Sequence, residues 1–219
     1  MPRPENPELR AKIIDCACEL FREKGYKATS YADLANAAGI AKGLLQYHFP
    51  KKDQLATEVM IRVLEKAITA LKIAEPAAAH SAEAYRDLYR IGQAYFAYLL
   101  APSSYELFLR DIISNLDLVD TVLAFNMNWA LQYAQDSNQA TEDAVLESVV
   151  MTMGGFYSLL HYNIAHGRET NVAKHLGTVM NKVMQALGFP KAEISKALDG
   201  AELTDNERKK LVATMKRLA

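Results

Sequence analysis

The stretch that decides the fold runs from residue 25 to residue 55 and reads GYKATSYADLANAAGIAKGLLQYHFPKKDQL. Apolar residues recur at helical spacing in two short runs, Tyr31–Ala38 and about Lys42–His48. Gly39 separates the runs, and a glycine permits the sharp turn that this junction needs. Ser30, with an Asp three residues later, has the form of a capping box. The pattern predicts two short helices joined by a tight turn.

Two short helices of this kind are typical of the helix-turn-helix, with which many proteins read DNA. They bury too little surface to stand alone, so the flanking helices must supply the rest of the core. One flanking helix begins after Asn6-Pro7 and ends at Gly25, and the other runs from about Lys52 to Ala74. We therefore predict a DNA-binding domain over residues 1–55, with residues 52–74 as a connecting helix.

The rest of the chain, residues 75–219, also has helical periodicity almost throughout, and no alternating run is long enough to predict a strand. The sequence predicts an all-α protein in which a three-helix head precedes a larger helical domain. A long helix is expected from Thr141 to about His166, with a kink at Gly154-Gly155. A last helix, residues 204–218, is expected either to pad a dimer or to face solvent.

Composition restricts the class of protein. Half of the 219 residues are hydrophobic, which is enough for a sizeable core, and the net charge is −1. Residues 1–55 carry nine Lys or Arg against seven Asp or Glu, a small positive excess of the sign that suits a DNA-binding head. The N-terminus is polar, and the most apolar stretch, Val145–Ala165, is too interrupted to span a membrane. We expect a cytoplasmic protein without a membrane partner.

The sequence contains no motif for catalysis. It lacks the GxSxG, HExxH, P-loop and dinucleotide-binding patterns. His161 and His166 are five residues apart, which fits poorly with the four-residue spacing of a helical metal pair. We therefore predict neither enzymatic activity nor a cofactor nor a metal site.

The N-terminal segment resembles the TetR family of bacterial repressors over about residues 8–60. Three stretches carry the resemblance: FREKGYKATS at 21–30, LANAAGIAKGLLQYHF at 34–49 and KKDQL at 51–55. The resemblance implies a homodimeric repressor that binds a near-palindromic operator on double-stranded DNA and leaves it when a small-molecule effector binds.

Two positions depart from the family pattern. The family often has Ser or Thr where Ala41 stands, so the second helix of the motif has a weaker cap here, by about 1 kcal/mol. The family also often has Tyr where Gln46 stands, and Gln can make a bidentate contact with adenine. This head is therefore expected to read a different sequence from relatives with Ser and Tyr at these positions.

The resemblance and the residue types together imply the DNA contacts. The candidates for phosphate contact are Lys42, Tyr47, His48 and Lys52, with Thr29 or Ser30 at the start of the preceding helix. The candidates for base contact are Gln46, Leu44, which could meet a thymine methyl, and Gly43, through close approach of the backbone.

By resemblance, the C-terminal domain holds the effector cavity and the dimer interface. Its aromatic and Met residues favour an apolar or aromatic effector. The predicted ligand contacts are Tyr89, Phe96, Phe125, Trp129, Tyr133, Met153, Tyr157 and His161. The predicted dimer helices are residues 141–166 and 171–187, with apolar surface from Val149, Met153, Phe156, Leu160, Val172, Leu176, Val179, Met180 and Val183.

Alternative functions stay open at this level. A protein of the same fold could regulate transcription without an effector, or activate it. A protein of another class could use the helical body as an adaptor for a protein partner and keep only a vestigial head. The uncapped Ala41 and the small basic excess are the features that favour the adaptor, and a DNA shift assay separates it from the regulators.

Overall fold

The computed structural model describes residues 6–73, 82–134 and 141–218, and for residues 82, 125, 126 and 128–134 it describes the main chain alone. Within these ranges the chain is helical and contains no strand, which confirms the predicted all-α class. None of the helices in these ranges is long and apolar enough to cross a membrane.

The N-terminal part of the chain, which we call the head, consists of α1 (Pro7–Lys24), α2 (Tyr31–Ala38) and α3 (Lys42–His48). Asn6 caps α1 by accepting a hydrogen bond from the Leu9 N–H at 3.1 Å, as its place before Pro7 predicts. The apolar stripes of these helices converge with the first turn of the next helix. The fully buried side chains of this core include Ile13, Ala17, Phe21, Leu34, Leu45, Phe49 and Leu55.

The connecting helix, α4 (Lys52–Leu71), ends three residues before the predicted position. Lys72 adopts a left-handed conformation with φ 56°, and its N–H donates to the carbonyl oxygens of Ile68 and Thr69. A left-handed residue of this kind ends a helix because it satisfies the last carbonyl groups and turns the chain away. The predicted end at Ala74 lies outside the described residues.

The remaining helices form the body of the protein. They are α5 (Ala82–Leu99), α6 (Glu106–Ile113), α7 (Leu116–Ala134), α8 (Glu142–Val149), α9 (Gly155–Ala165), α10 (Val172–Ala186), α11 (Lys191–Leu198) and α12 (Asp205–Arg217). A π-helical turn, Val150–Gly154, joins α8 to α9 where the sequence predicts one long kinked helix. The main chain stays right-handed at both ends of this turn, so one wider turn takes the place of a break.

Six of the nine apolar residues predicted to form the dimer surface are buried within the chain, which corrects the prediction for these six. Val149, Met153, Phe156, Leu160, Leu176 and Val179 are buried within the chain. The reason is that α5, α6 and α7 cover this side of the long helices, through contacts with α10, α9 and α8 respectively. Periodicity identifies an apolar face, but it does not show whether the face meets the same chain or a second one.

The last helix, α12, packs against α4 and α5 of the same chain. It starts with the predicted capping box between Thr204 and Glu207. The segment before it is bound to α5 by Gln93, a buried side chain whose amide oxygen accepts from the Leu203 N–H at 2.9 Å. At the other end of the helix, Lys66 Nζ of α4 donates to the Leu218 carbonyl oxygen at 2.7 Å. The C-terminal helix is therefore an integral part of the body.

The head is docked on α6 of the body by packing and by hydrogen bonds. The ring of Phe21 stacks on Phe108, with centroids 5.4 Å apart. The N–H of Lys27, in the turn between α1 and α2, donates to Asp111 Oδ2 at 2.7 Å. Gly25 starts this turn with φ +81°, and a Cβ atom at this position would lie 2.7 Å from the same Asp111 oxygen. Only glycine fits both the backbone conformation and the close approach to α6.

We predict that Gly25→Ala destabilises the protein by about 1–3 kcal/mol, because the added Cβ combines backbone strain with a clash against Asp111. Urea unfolding of the variant measures the change. The matched control is Gly43→Ala, since no atom lies within 4 Å of a Cβ there and the residue is helical. The control is expected to be neutral or slightly stabilising, and equal destabilisation by the two substitutions would contradict the prediction.

Candidate DNA interface and ligand cavity

A reciprocal capping box fixes the start of α2. The Asp33 N–H donates to Ser30 Oγ at 3.1 Å, and Asp33 Oδ2 accepts from the Ser30 N–H and hydroxyl, both at 2.8 Å. Lys24 Nζ lies 3.1 Å from the same carboxylate. The hydrogen bonds from Ser30, followed by that from Lys24, stabilise the charged form and lower the pKa of Asp33 to about 2. The capping box is present as predicted, and the Ser30 hydroxyl donates its hydrogen to Asp33.

The turn between α2 and α3 depends on Gly39, which has φ 69° in the left-handed region. Its N–H donates to the carbonyl oxygens of Ala35 and Asn36, and this closes α2 as the chain changes direction. Leu45 and Phe49 are fully buried beneath α3, and they fix its rotation about its own axis. Ala41 occupies the N-cap position and provides no side-chain hydrogen bond, as the sequence predicts.

The outward face of α3 carries most of the predicted DNA contacts. Lys42, Gly43, Gln46 and Tyr47 are exposed. Leu44 and His48 are half-buried at the edges of this face, and the His48 ring meets Tyr47 edge-on with centroids 5.4 Å apart. One helix of seven residues therefore brings six of the nine predicted contacts together on the surface.

The C-terminal end of α3 is held by side chains that sequence reasoning did not identify. Arg10 of α1 forms an ion pair with Glu58 of α4, and its guanidinium lies 4.3 Å from the centroid of the Phe49 ring. The Tyr31 hydroxyl of α2 donates to the Phe49 carbonyl oxygen at 2.9 Å. Arg10 and Glu58 are 48 residues apart in sequence, so no local pattern indicates the pair. These contacts join the end of α3 to its three neighbouring helices.

Thr29 is not available to DNA through its side chain, which corrects the prediction. It is fully buried, and its hydroxyl donates to the Gly25 carbonyl oxygen at 2.7 Å. The hydrogen bond closes the turn between α1 and α2 from the inside. A Thr before a helix is often an exposed cap or anion contact, but here that position is taken by Ser30, one residue later.

Lys52 is also engaged within the head. Its Nζ donates to the carbonyl oxygens of Tyr26 and Thr29, both at 2.9 Å, and lies 4.0 Å from the centroid of the Tyr26 ring. Burial of the ammonium group lowers the pKa of Lys52. An ammonium group has three N–H bonds, so at most one is left for a phosphate, and the main contact of this residue is with the turn between α1 and α2.

The body contains an apolar cavity of about 130 Å³ bounded by α4, α5 and α7–α10. No lining residue among those described carries a charge. An engineered apolar cavity of similar size, about 150 Å³, stays dry and binds benzene. The lining residues are Met60, Leu64, Leu88, Ile91, Gly92, Tyr95, Phe96, Val122, Val149, Met153, Tyr157, Leu176, Val179, Met180 and Val183.

Three of the predicted ligand contacts, Phe96, Met153 and Tyr157, line this cavity. Tyr89 does not line it, because its hydroxyl donates to the Ala173 carbonyl oxygen at 3.0 Å and its ring packs beside α10. His161 lies on the exposed side of α9, which corrects its prediction as a ligand contact. The side chains of Phe125, Trp129 and Tyr133 lie outside the described residues.

One helix, α4, contributes to both the head and the cavity. Lys52 and Glu58, near its start, bond the head, whereas Met60 and Leu64 line the cavity. Lys52 and Leu64 are twelve residues apart, which corresponds to about 18 Å along an α-helix. One continuous helix therefore connects the cavity with the head.

The fold and this site define a helix-turn-helix head on a helical body with an apolar cavity. Residues 13–59 match the model of the family described as bacterial regulatory proteins, tetR family. Over this segment the chain is similar to that family.

Curated relatives match in the same segment. The HTH-type transcriptional repressor KstR2 of Rhodococcus jostii is 41% identical over 51 residues, which cover 23% of this chain and 25% of that protein. The HTH-type transcriptional regulator AcrR of Shigella flexneri is 37% identical over 57 residues, which cover 26% of each chain. The match thus spans about a quarter of the length of these relatives.

Solved structures show a distant likeness over more of the chain. NalD of Pseudomonas aeruginosa, described as the secondary repressor of the MexAB-OprM multidrug efflux pump, is 18% identical, with 83% of this chain and 98% of that chain covered and a TM-score of 0.43. The fatty acid degradation regulator FadR of Bacillus halodurans is 19% identical, with 85% and 97% covered and a TM-score of 0.42.

We predict that Ala41→Ser stabilises the protein by about 0.5–2 kcal/mol, because the new hydroxyl can cap the free N–H groups at the start of α3. Ala41 already has the extended backbone of an N-cap residue, with φ −68° and ψ 142°. The midpoint of urea unfolding measures the gain, and Ala32→Ser, at an exposed position inside α2, is the control. A gain no larger than that of the control would contradict the prediction.

Proposed function

We propose that this protein is a DNA-binding transcriptional repressor, released from a near-palindromic operator by a small, largely apolar or aromatic effector. The observation that carries the proposal is the exposed face of α3, which lies within the segment that matches the family. A relative matched in this segment is named a transcriptional repressor. Because the match covers about a quarter of that relative, the activity of the whole chain is our proposal.

In the proposed complex, α3 lies in the major groove. Gln46 reads a base edge, for which adenine is the partner that its amide fits best, and Leu44 and Gly43 allow close approach to neighbouring bases. Lys42 and Tyr47 contact phosphates on either side, with His48 at the edge of the same face. Ser30 and Lys52 reach phosphates only if they give up or share the hydrogen bonds described above.

The proposed protein is a homodimer, so that two α3 helices enter successive major grooves about 34 Å apart. The dimer surface that the structure supports is the outward face of α8, the π-helical turn and α9. Exposed apolar side chains cluster there, at Leu146, Val150, Met151 and Tyr162, and Met151 is 76% exposed. Exposed Gly155 and Ser158 lie in the same row and allow close approach of a second helix.

The proposed effector site is the apolar cavity, and α4 is the proposed connection to the head. A ligand that prefers a conformation with a different α4 position shifts the separation of the two heads. A coupling of about 1–3 kcal/mol between ligand and DNA is typical of such pairs of sites. The support for this mechanism is that residues of α4 line the cavity and also bond the head.

We predict distinct effects of two substitutions in α3 on binding to sites selected by the wild-type protein from a random DNA library. Lys42→Ala should weaken binding to all sequences alike and reduce the slope of log affinity against log salt by about 1, because it removes one phosphate contact. Gln46→Ala should cost about 1–3 kcal/mol on selected sites only, because it removes a base contact.

Fluorescence anisotropy over a range of salt concentrations measures both effects. Lys209→Ala is the control, since it removes the same charge from an exposed position on α12. The failure of the wild-type protein to select any site would contradict the proposal. Equal losses for the Lys42 and Lys209 variants would show that α3 is not the interface.

We predict that Met151→Lys weakens the homodimer by more than about tenfold, since a buried unpaired ammonium costs several kcal/mol. Sedimentation velocity at several protein concentrations measures the dissociation. Leu116→Lys is the control, because Leu116 is also an exposed apolar residue, at 81%, but lies at the start of α7. Dissociation of the Leu116→Lys control but not of Met151→Lys would contradict this interface and indicate that the dimer forms through another face.

A further inference from the structure

The lining of the cavity includes a tyrosine, Tyr95, whose hydroxyl has no hydrogen-bond partner among the described residues. Tyr95 of α5 lines the cavity, and its ring meets Phe96 edge-on with centroids 5.2 Å apart. Among the described residues, Tyr95 Oη neither donates to nor accepts from another group, whereas the buried Tyr89 of the same helix donates to Ala173. Most buried polar side-chain atoms in proteins have a partner. A hydroxyl on a residue of an apolar lining that has no partner in the protein points to a partner that comes from outside the chain.

The surroundings of Tyr95 restrict the charge of such a partner. The side chain is half-buried and lines the cavity. Burial, and to a lesser extent the neighbouring Tyr157, raise the pKa of Tyr95, so the phenol keeps its hydrogen at neutral pH. No cationic side chain among the described residues lines the cavity, so an anionic ligand would find no counter-charge there.

We propose that Tyr95 Oη is the polar anchor of the cavity and that the ligand is an uncharged molecule of single-ring size with one oxygen that accepts its hydrogen bond. The inference rests on the proposed function, in which this cavity is the effector site. The apolar lining supplies affinity for the ring, and the Tyr95 hydroxyl supplies orientation. A ligand that leaves the Tyr95 hydroxyl without a hydrogen bond binds more weakly than one that accepts its hydrogen.

A pair of probes of nearly equal shape tests the anchor. Phenol carries an oxygen where toluene carries a methyl group, and both are single rings that suit a cavity of about 130 Å³. Ligand-detected NMR titrations compare the full-length wild-type protein with Tyr95→Phe. The control is Tyr98→Phe, since Tyr98 is also buried in α5 but does not line the cavity. Thermal unfolding confirms that all three proteins are folded.

We expect Tyr95→Phe to weaken phenol binding by about three- to tenfold, the range of one net hydrogen bond. Toluene binding should stay the same or become tighter, and Tyr98→Phe should leave the phenol-to-toluene ratio at the wild-type value. An unchanged ratio in Tyr95→Phe would overturn the anchor and leave the cavity as a ligand site. Tyr157 is the other tyrosine of the lining. A loss of phenol binding in Tyr157→Phe but not in Tyr95→Phe would also overturn the anchor.

Two further outcomes separate the anchor from the proposed function. If neither probe binds the wild-type protein, the anchor and the role of the cavity as a ligand site both fail. If phenol binds through Tyr95 but leaves DNA affinity unchanged at saturation, the anchor stands and the release mechanism fails. The same anisotropy assay that measures DNA binding supplies this second readout.

Discussion

The position of the head depends on α4, which starts beside the end of α3 and continues along the cavity. Lys52, in its first turn, donates to the turn between α1 and α2. Glu58, in its second turn, forms the ion pair with Arg10 beside the end of α3. Its later turns expose Met60 and Leu64 to the cavity. An α-helix transmits a displacement because its backbone hydrogen bonds make it stiff along its length. The shape of the cavity and the orientation of α3 are therefore linked by a covalent and largely inextensible element.

The head could be predicted from sequence because its signals are local. The cap at Asn6, the box between Ser30 and Asp33, and the left-handed Gly39 each lie within a few residues of the helix end that they set. What sequence reasoning missed there is tertiary. Thr29 looked like an exposed polar residue before a helix, and only packing shows that it is turned inward against Gly25.

The body was harder to predict, because its long helices are apolar on more than one side. A stripe at helical spacing shows that a face is buried, but a helix that packs against its own chain and against a second chain has two such faces. Six of the nine residues assigned to the dimer fill the interior, whereas the exposed apolar row includes Val150 and Met151. The π-helical turn at this place adds one residue to a helical turn and changes which side chains point outward, which a regular period does not foresee.

The head is attached to the body twice, and this limits how a ligand can act on it. One attachment is α4, and the other is the contact of the turn at Gly25 with Asp111 and Phe108 of α6. If α4 moved alone, the close approach of Gly25 to α6 would have to open, and the hydrogen bond from the Lys27 N–H to Asp111 would be lost. The lower-cost movement is one in which α4 and α6 shift together and carry the head as a unit. Because α6 also contacts α7 and α9, which border the cavity together with α4, we expect the proposed ligand to act on both attachments.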